Sequence, residues 1–516
     1  MLNWFLRHKF WDFLALVKFF FAKPVDIKSP PARWGQIHPK PMREAIREVP
    51  LDNVMVCPRT QIPRDERQLV PAKFYDFQVW LYTRWSPMQP DLPRIDLDPE
   101  VALKRAFNGL RRRLLHDPEM PAEFVPAPDL GLLAVRGPFA CYTTRVGNDA
   151  IWQWDLRMLD NYEQRTELVK IGSRVLFRED SVRNSLQADS IECELSTQKG
   201  KAAITPTDPE WGQACKIALC AASTHLSLVR HFNWVHLAGG AQLAIATRNN
   251  LPRNHPLFRL LWPYIYGTMQ SNDMVTRGQM APGGDFETTF SFTFDGMCDL
   301  FDATYGQYQH SVNDPETDGN SRGVRGVGFE TPTQKNLEAL FNIIHHFVCE
   351  YLNIYYPQNA TGANDVHNNT EILDWLDELK RLVPNEVGVD PKNFTWVDLA
   401  RMVAGQLYLV TVQHEILGSF MWNYQLWTDR QPPRIYKDSP REPLDVYQRL
   451  VNANYILNVH RRALMHNFND IALDDKARAA MSRFQGALLE LQAEMDSEPH
   501  AVWKVYPRDL KVNINA

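Results

Sequence analysis

Three histidines fall within the thirteen residues from Thr224 to His236, THLSLVRHFNWVH, in a chain that holds fifteen. His225, His231 and His236 are flanked by CKIALCAAS and LAGGAQLAIAT, apolar runs that read as buried helix on both sides. A buried imidazole needs a partner, and the ordinary one is a backbone carbonyl or a nearby polar side chain. Several imidazoles on one core helix can instead hold a metal ion. His414 adds a further candidate, set in the very apolar LYLVTVQHEILGSF with no evident partner beside it in sequence. Histidines on two long core helices are the raw material of a bundle-core metal site. Imidazole and oxygen ligands with open positions suit iron or manganese better than structural zinc.

Spacing narrows the choice without closing it. On a regular α-helix, at roughly 100° per residue, His231 and His236 point about 140° apart and share no ligand. A π-bulge brings residues five apart onto nearly one face, and such bulges concentrate at functional sites. His225 and His236, eleven apart, align on a regular helix. Either pair can aim at one point.

The elements that must carry these residues read as one large, mainly α domain. From Trp211 onward the chain is long and helical: KNLEALFNIIHHFVCEYLNIYY, NFTWVDLARMVAGQLYLVTVQHEILGSFMW and PLDVYQRLVNANYILNVHRRALM repeat apolar residues every three or four positions. Residues 74 to 200 are mixed, with a helix through PEVALKRAFNGLRRRLL and short extended pieces around DLGLLAVRGPFACYTTRV and AIWQWDLRMLD. The closing KVYPRDLKVNINA has no charge after Lys511, which predicts a tail that tucks inward.

Length, 516 residues, permits a large core, and 44% hydrophobic with 23% charged residues is ordinary for a globular chain. A net charge of −5 offers no basic footprint, which argues against a nucleic-acid partner. The seven cysteines are odd in number and form no CxxC pair, which predicts reduced thiols and a cytoplasmic setting. The first 23 residues hold six phenylalanines and two tryptophans, but Arg7, Lys9, Asp12 and Lys18 interrupt any membrane-spanning run. They predict a helix lying at a bilayer surface, a peripheral membrane contact, or equally a helix docked on the protein's own core. KPVDIKSPPARWGQIHPKP then reads as a proline-punctuated extended linker. The expected division is 1–55, helix and linker, and 56–516, the main domain.

The ordered set ITPTDPEWGQACKIAL, HFNWVHLAGGAQLAIATRNNLPRNHPLFRLLWPYIYGTMQSNDMVTRGQMAPGGDFETTF, EYLNIYYPQNATGANDVHNNTEILDWLDELK and DVYQRLVNANYI resembles the lipoxygenases. The likeness runs from about residue 130 to the last residue. The β-sandwich that opens many members has no counterpart, the aromatic stretch and linker taking its place. The resemblance implies one non-haem iron, with manganese an alternative, held by two histidines five apart on a π-distorted helix and a third on a second core helix. It further implies a frequent asparagine four residues after the third histidine, and the carboxylate of the final residue.

Carried over, His414 matches the third histidine and Ala516 supplies the carboxylate. Counting from Trp211 puts His231 at the second ligand and Leu226 where the first belongs, with His225 one place away. Alternatively His231 and His236, properly spaced, are the pair themselves. Gly418 stands where the asparagine is common, leaving that coordination position open or water-filled. Asn423, nine residues from His414, lies on roughly the opposite helix face. Gln413 and Glu415 are candidates for supporting His414 or for interhelical pairing. Arg248 and Arg277 are candidates for steering a substrate carboxylate or for tying helices together. The chemistry implied is hydrogen-atom abstraction by a ferric hydroxide from a polyunsaturated fatty acid, then addition of dioxygen, in a monomer. An altered reaction such as hydroperoxide rearrangement, and a non-catalytic lipid-binding scaffold, are the competing readings.

Overall fold

Small residues decide where the longest helix lies. Helix α1 (Trp211–His225) runs without a break into a π-helix, Leu226–Gly240, and then into α2 (Ala241–Asn250). Alanines 214, 218, 221, 222, 238, 244 and 246 are all buried along it, so neighbouring helices pack closely on every side. Gly239 and Gly240 mark the tightest approach. A Cβ on Gly239 would stand 2.3 Å from Leu409 Cδ2, and one on Gly240 would stand 2.5 Å from Ile514 Cδ1. The glycine pair therefore admits both a second core helix and the end of the chain to the centre of the molecule.

The computed structural model describes Phe13 and residues 27–67, 120–438 and 462–514, apart from 148, 197–199, 384, 386, 499–504 and 513. The aromatic stretch other than Phe13, the helices expected through PEVALKRAFNGLRRRLL and DVYQRLVNANYI, and Ala516 lie outside the described residues. Among the described residues, no helix is long and apolar enough to cross a membrane.

The fold is mainly helical, as the periodicity predicts. Helix α3 (Pro256–Ile265) and helix α4 (Thr268–Val275) follow the central run, then α5 (Phe294–Tyr305), α6 (Pro332–Tyr355) and α7 (Thr370–Leu382). Helix α8 (Trp396–Tyr408) opens on a capping box: Asp398 N donates to Thr395 Oγ1 at 3.1 Å and Thr395 N donates to Asp398 Oδ2 at 2.8 Å. It continues through π segments Leu409–Gln413 and Ile416–Phe420, with His414 between them. Of the two extended pieces expected before residue 200, AIWQWDLRMLD holds the strand Ile151–Asp155, whereas DLGLLAVRGPFACYTTRV is mostly helical turns, Leu130–Leu133 and Pro138–Tyr142, with only Thr144–Arg145 extended. Three strands that were not expected, Arg174–Asp180, Ser185–Cys193 and Ala202–Ile204, complete an antiparallel meander paired in chain order. Trp152 and Trp154 alternate inward from it into the core.

Residues 27–67 are largely extended and strapped onto the helices. Trp262 Nε1 donates to Lys28 O at 2.7 Å, and Asn249 exchanges hydrogen bonds with both backbone groups of Ile37 at 2.8 Å. Arg248 fastens the strap. Its guanidinium lies 4.8 Å from the Trp262 ring and 5.5 Å from Trp34, and reaches Asp65 Oδ2 and Glu66 Oε1 at 2.8 Å each. Arg277 has a similar tie, to Asp273 Oδ1 at 2.9 Å and Ala45 O at 3.1 Å. Both arginines join helix to strap.

Candidate metal centre

The π-helix answers the spacing question. Over fifteen residues it closes i to i+5, so His231 and His236 leave the helix on one face. His414 arrives from the second core helix. The Nε2 atoms of His236 and His414 stand 3.1 Å apart, those of His236 and His231 stand 3.3 Å apart, and all three ring centroids are 4.9 Å from one another. His236 and His414 are buried and His231 is half-buried. Among the described residues this is the one cluster of potential ligand atoms drawn within 4.8 Å of each other.

Hydrogen bonds on the far side of two rings decide what faces inward. Asn272, on α4, donates its Nδ2 to His236 O at 2.8 Å, which turns its Oδ1 toward His236 Nδ1 at 3.0 Å. His414 Nδ1 lies 3.1 Å from Oε1 of the buried Glu415. Both partners are acceptors, so both imidazoles carry their proton on Nδ1 and point a lone pair from Nε2. Two such lone pairs at 3.1 Å repel unless a cation lies between them. The donor set therefore fits a bound transition metal, with a carboxylate and an amide orienting its ligands.

His225 is not in this cluster. Its Nδ1 shares a hydrogen bond of 2.9 Å with Tyr142 Oη, and its ring meets the Trp234 edge. Burial, with a smaller contribution from Arg230, pushes its pKa down to about 3. His310 is a second imidazole outside the cluster, wedged where Cβ atoms on Gly388 and Gly405 would stand 2.5 and 2.7 Å from its ring; burial takes its pKa down to about 4. Both are neutral when folded, while the unfolded chain takes up their protons below the ordinary value of 6.5. Stability is thus fully present above that value and is lost as pH falls, each contributing a slope of about 1.4 kcal/mol per pH unit. Urea unfolding is expected to give a clearly lower midpoint at about pH 5 than at about pH 7, and equal midpoints would contradict the assignment.

The remaining candidates divide. Glu415 supports His414, whereas Gln413 donates to Val312 O and ties helices. Arg248 and Arg277 are engaged in the strap. Asn423 is exposed. Gly418 is occupied by a neighbour: a Cβ there would stand 2.9 Å from both Cε1 and Nε2 of His231, so that ring lies where a longer side chain would project. Ala516 is outside the described residues, but Ile514 is fully buried beside Gly240 and Val410, so the tail does run into the core. Asn272 was missed in the sequence, where nothing in GTMQSNDMVT sets it apart.

A family model described as Lipoxygenase matches residues 195–461, just over half of the chain. The chain belongs to the lipoxygenase family, whose members are fatty-acid-oxygenating oxidoreductases. It is 26% identical over 215 residues to the polyunsaturated fatty acid lipoxygenase ALOX8 of Mus musculus, covering 41% of this chain and 31% of that protein. It is 23% identical over 241 residues to the hydroperoxide isomerase ALOXE3 of Homo sapiens, covering 46% and 33%. The matched part spans about a third of the length of these curated relatives. Among solved structures, a calcium-dependent 11R-lipoxygenase shares the fold at a TM-score of 0.70, with 17% identity over 93% of this chain and 78% of that one. Coral 8R-lipoxygenase does so at 0.68, with 18% identity over 89% and 76%.

Proposed function

We propose that this chain dioxygenates a polyunsaturated fatty acid to a hydroperoxide, with a non-haem iron held by His231, His236 and His414. The observation that carries the reading is the set of three Nε2 atoms gathered between two core helices, two of them locked in the lone-pair-inward tautomer. His231, His236 and His414 would hold the iron, and the iron would supply the one-electron redox chemistry needed to remove a hydrogen atom from a doubly allylic carbon of the substrate, dioxygen then adding to the carbon radical. The chain's own work is positional. Asn272 and Glu415 hold two imidazoles in orientation. Phe232, 5.4 Å from the His236 ring and 5.0 Å from Phe286, begins an aromatic wall that continues to Phe301 and gives the cluster an apolar side.

The test is metal analysis of the purified protein followed by addition of linoleate. About one iron per chain and formation of an ultraviolet-absorbing conjugated diene are expected. Absence of stoichiometric metal would overturn the reading. Iron with no diene, but with consumption of an added lipid hydroperoxide, would favour rearrangement, the activity named in the relative ALOXE3.

A further inference from the structure

We infer a second ligand site, for an amphipathic carboxylate, in the cavity beside the two histidine-bearing helices. The cavity encloses about 740 Å³, including its open mouth, and its lining contains none of the three clustered histidines. Its walls are apolar over Val135, Val312, Val324, Leu337, Ile416 and Leu417. Three charged groups interrupt them, Arg230, Asp318 and Arg322. Arg230, the residue before His231, donates from Nη1 to Cys141 O at 2.8 Å and lies 5.6 Å from the ring centres of Tyr142 and Trp234.

Among the described residues, no carboxylate stands within ion-pair distance of Arg230. The acid that lines the same cavity, Asp318, is held by Arg322 Nε at 2.8 Å. The rest of Arg322 is spoken for as well, by Ala140 O, Thr143 O and Gln334 Oε1 at 3.0–3.1 Å. A guanidinium carries five donors, and Arg230 uses one on the backbone. Two guanidiniums against one carboxylate leave the cavity lining with an excess positive charge, which favours an anionic partner at Arg230. The planar fork matches a carboxylate, and the apolar walls match a short acyl body behind it. The site stands independently of the metal reading, because no ligand of the cluster takes part in it.

Calorimetric titration of the full chain with octanoate, acetate and 1-octanol tests it. Octanoate is expected to bind saturably at one per chain, with acetate and 1-octanol each at least tenfold weaker. Arg230→Gln is expected to weaken octanoate at least tenfold. Leu337→Trp, which fills the cavity while leaving Arg230 in place, is expected to do the same, and serves if the arginine variant does not fold. Undiminished octanoate binding in both variants, or no saturable binding to the parent chain, would overturn the proposal. Equal affinity for acetate and octanoate would also overturn it, by showing a plain anion site.

Discussion

Arg248→Ala is expected to cost about 3–5 kcal/mol of folding stability, because it leaves a buried carboxylate without its counter-charge. The side chains of Arg248 and Glu66 are both fully buried, and Asp65 beside them is partly exposed. Glu66 also accepts from Met269 N at 2.9 Å and Gln270 N at 3.0 Å, so it has no route to solvent. The substitution further removes the cation from beside the Trp34 and Trp262 rings. An exposed pair offers the comparison: Arg178→Ala, which breaks a contact with Asp189, is expected to cost under about 1 kcal/mol. Burial already holds the Glu66 carboxyl above its ordinary range, with Arg248 pulling the other way. Removing Arg248 raises it further, so the folded variant binds a proton that the unfolded chain releases. The stability of Arg248→Ala is then lost as pH rises through the elevated Glu66 value and recovers on acidification. Denaturant unfolding measures both effects, and a loss no larger than that of Arg178→Ala would show that the strap is not fastened here.

The strap also shows what the sequence concealed. A polar-looking run of prolines, KPVDIKSPPARWG, gives no periodicity, and its attachment depends on single long-range partners such as Lys28 to Trp262 and Ile37 to Asn249. By contrast the central helix was legible, because alanine, glycine and histidine in apolar surroundings leave few alternatives to a buried helix. The candidate ligands were legible as types, and which two of three shared a face was not. That depended on how far the helix stays in the wider π form, and the segment that does so packs against α5, where Asn233 Nδ2 donates to Phe301 O at 2.9 Å and Trp234 Nε1 to Thr304 O at 2.9 Å. Asn272 was invisible for a related reason. Its role is defined by a helix thirty-six residues away, and a lone asparagine in a helix carries no local signature.

Gly418→Asn is the substitution that the family resemblance recommends and the geometry opposes. By resemblance alone, asparagine at that position adds a ligand and strengthens metal binding. The structure predicts the reverse. With even a Cβ only 2.9 Å from His231 Cε1 and Nε2, any side chain at 418 must push the imidazole away from the other two. His231 is the least buried of the three, and it is the one that will yield. Loss of a positioned ligand is expected to lower metal affinity by at least the roughly 10–100-fold that follows disturbance of a supporting group, down to the level of His231→Ala. Gly418→Ala isolates the steric part, since alanine brings a Cβ and no donor atom. The backbone does not object, because position 418 lies within the helical segment Ile416–Phe420, where alanine is favoured over glycine by roughly 0.5–1 kcal/mol. Gly418→Ala should therefore fold about as well as the parent chain without metal, and both variants should bind the ion more weakly. Iron titration followed by metal-dependent thermal stabilisation reads the two quantities separately. Tighter binding in Gly418→Asn than in Gly418→Ala and the parent would mean that the His231 ring can vacate its place at no cost, and that the glycine is not what lets it stand there.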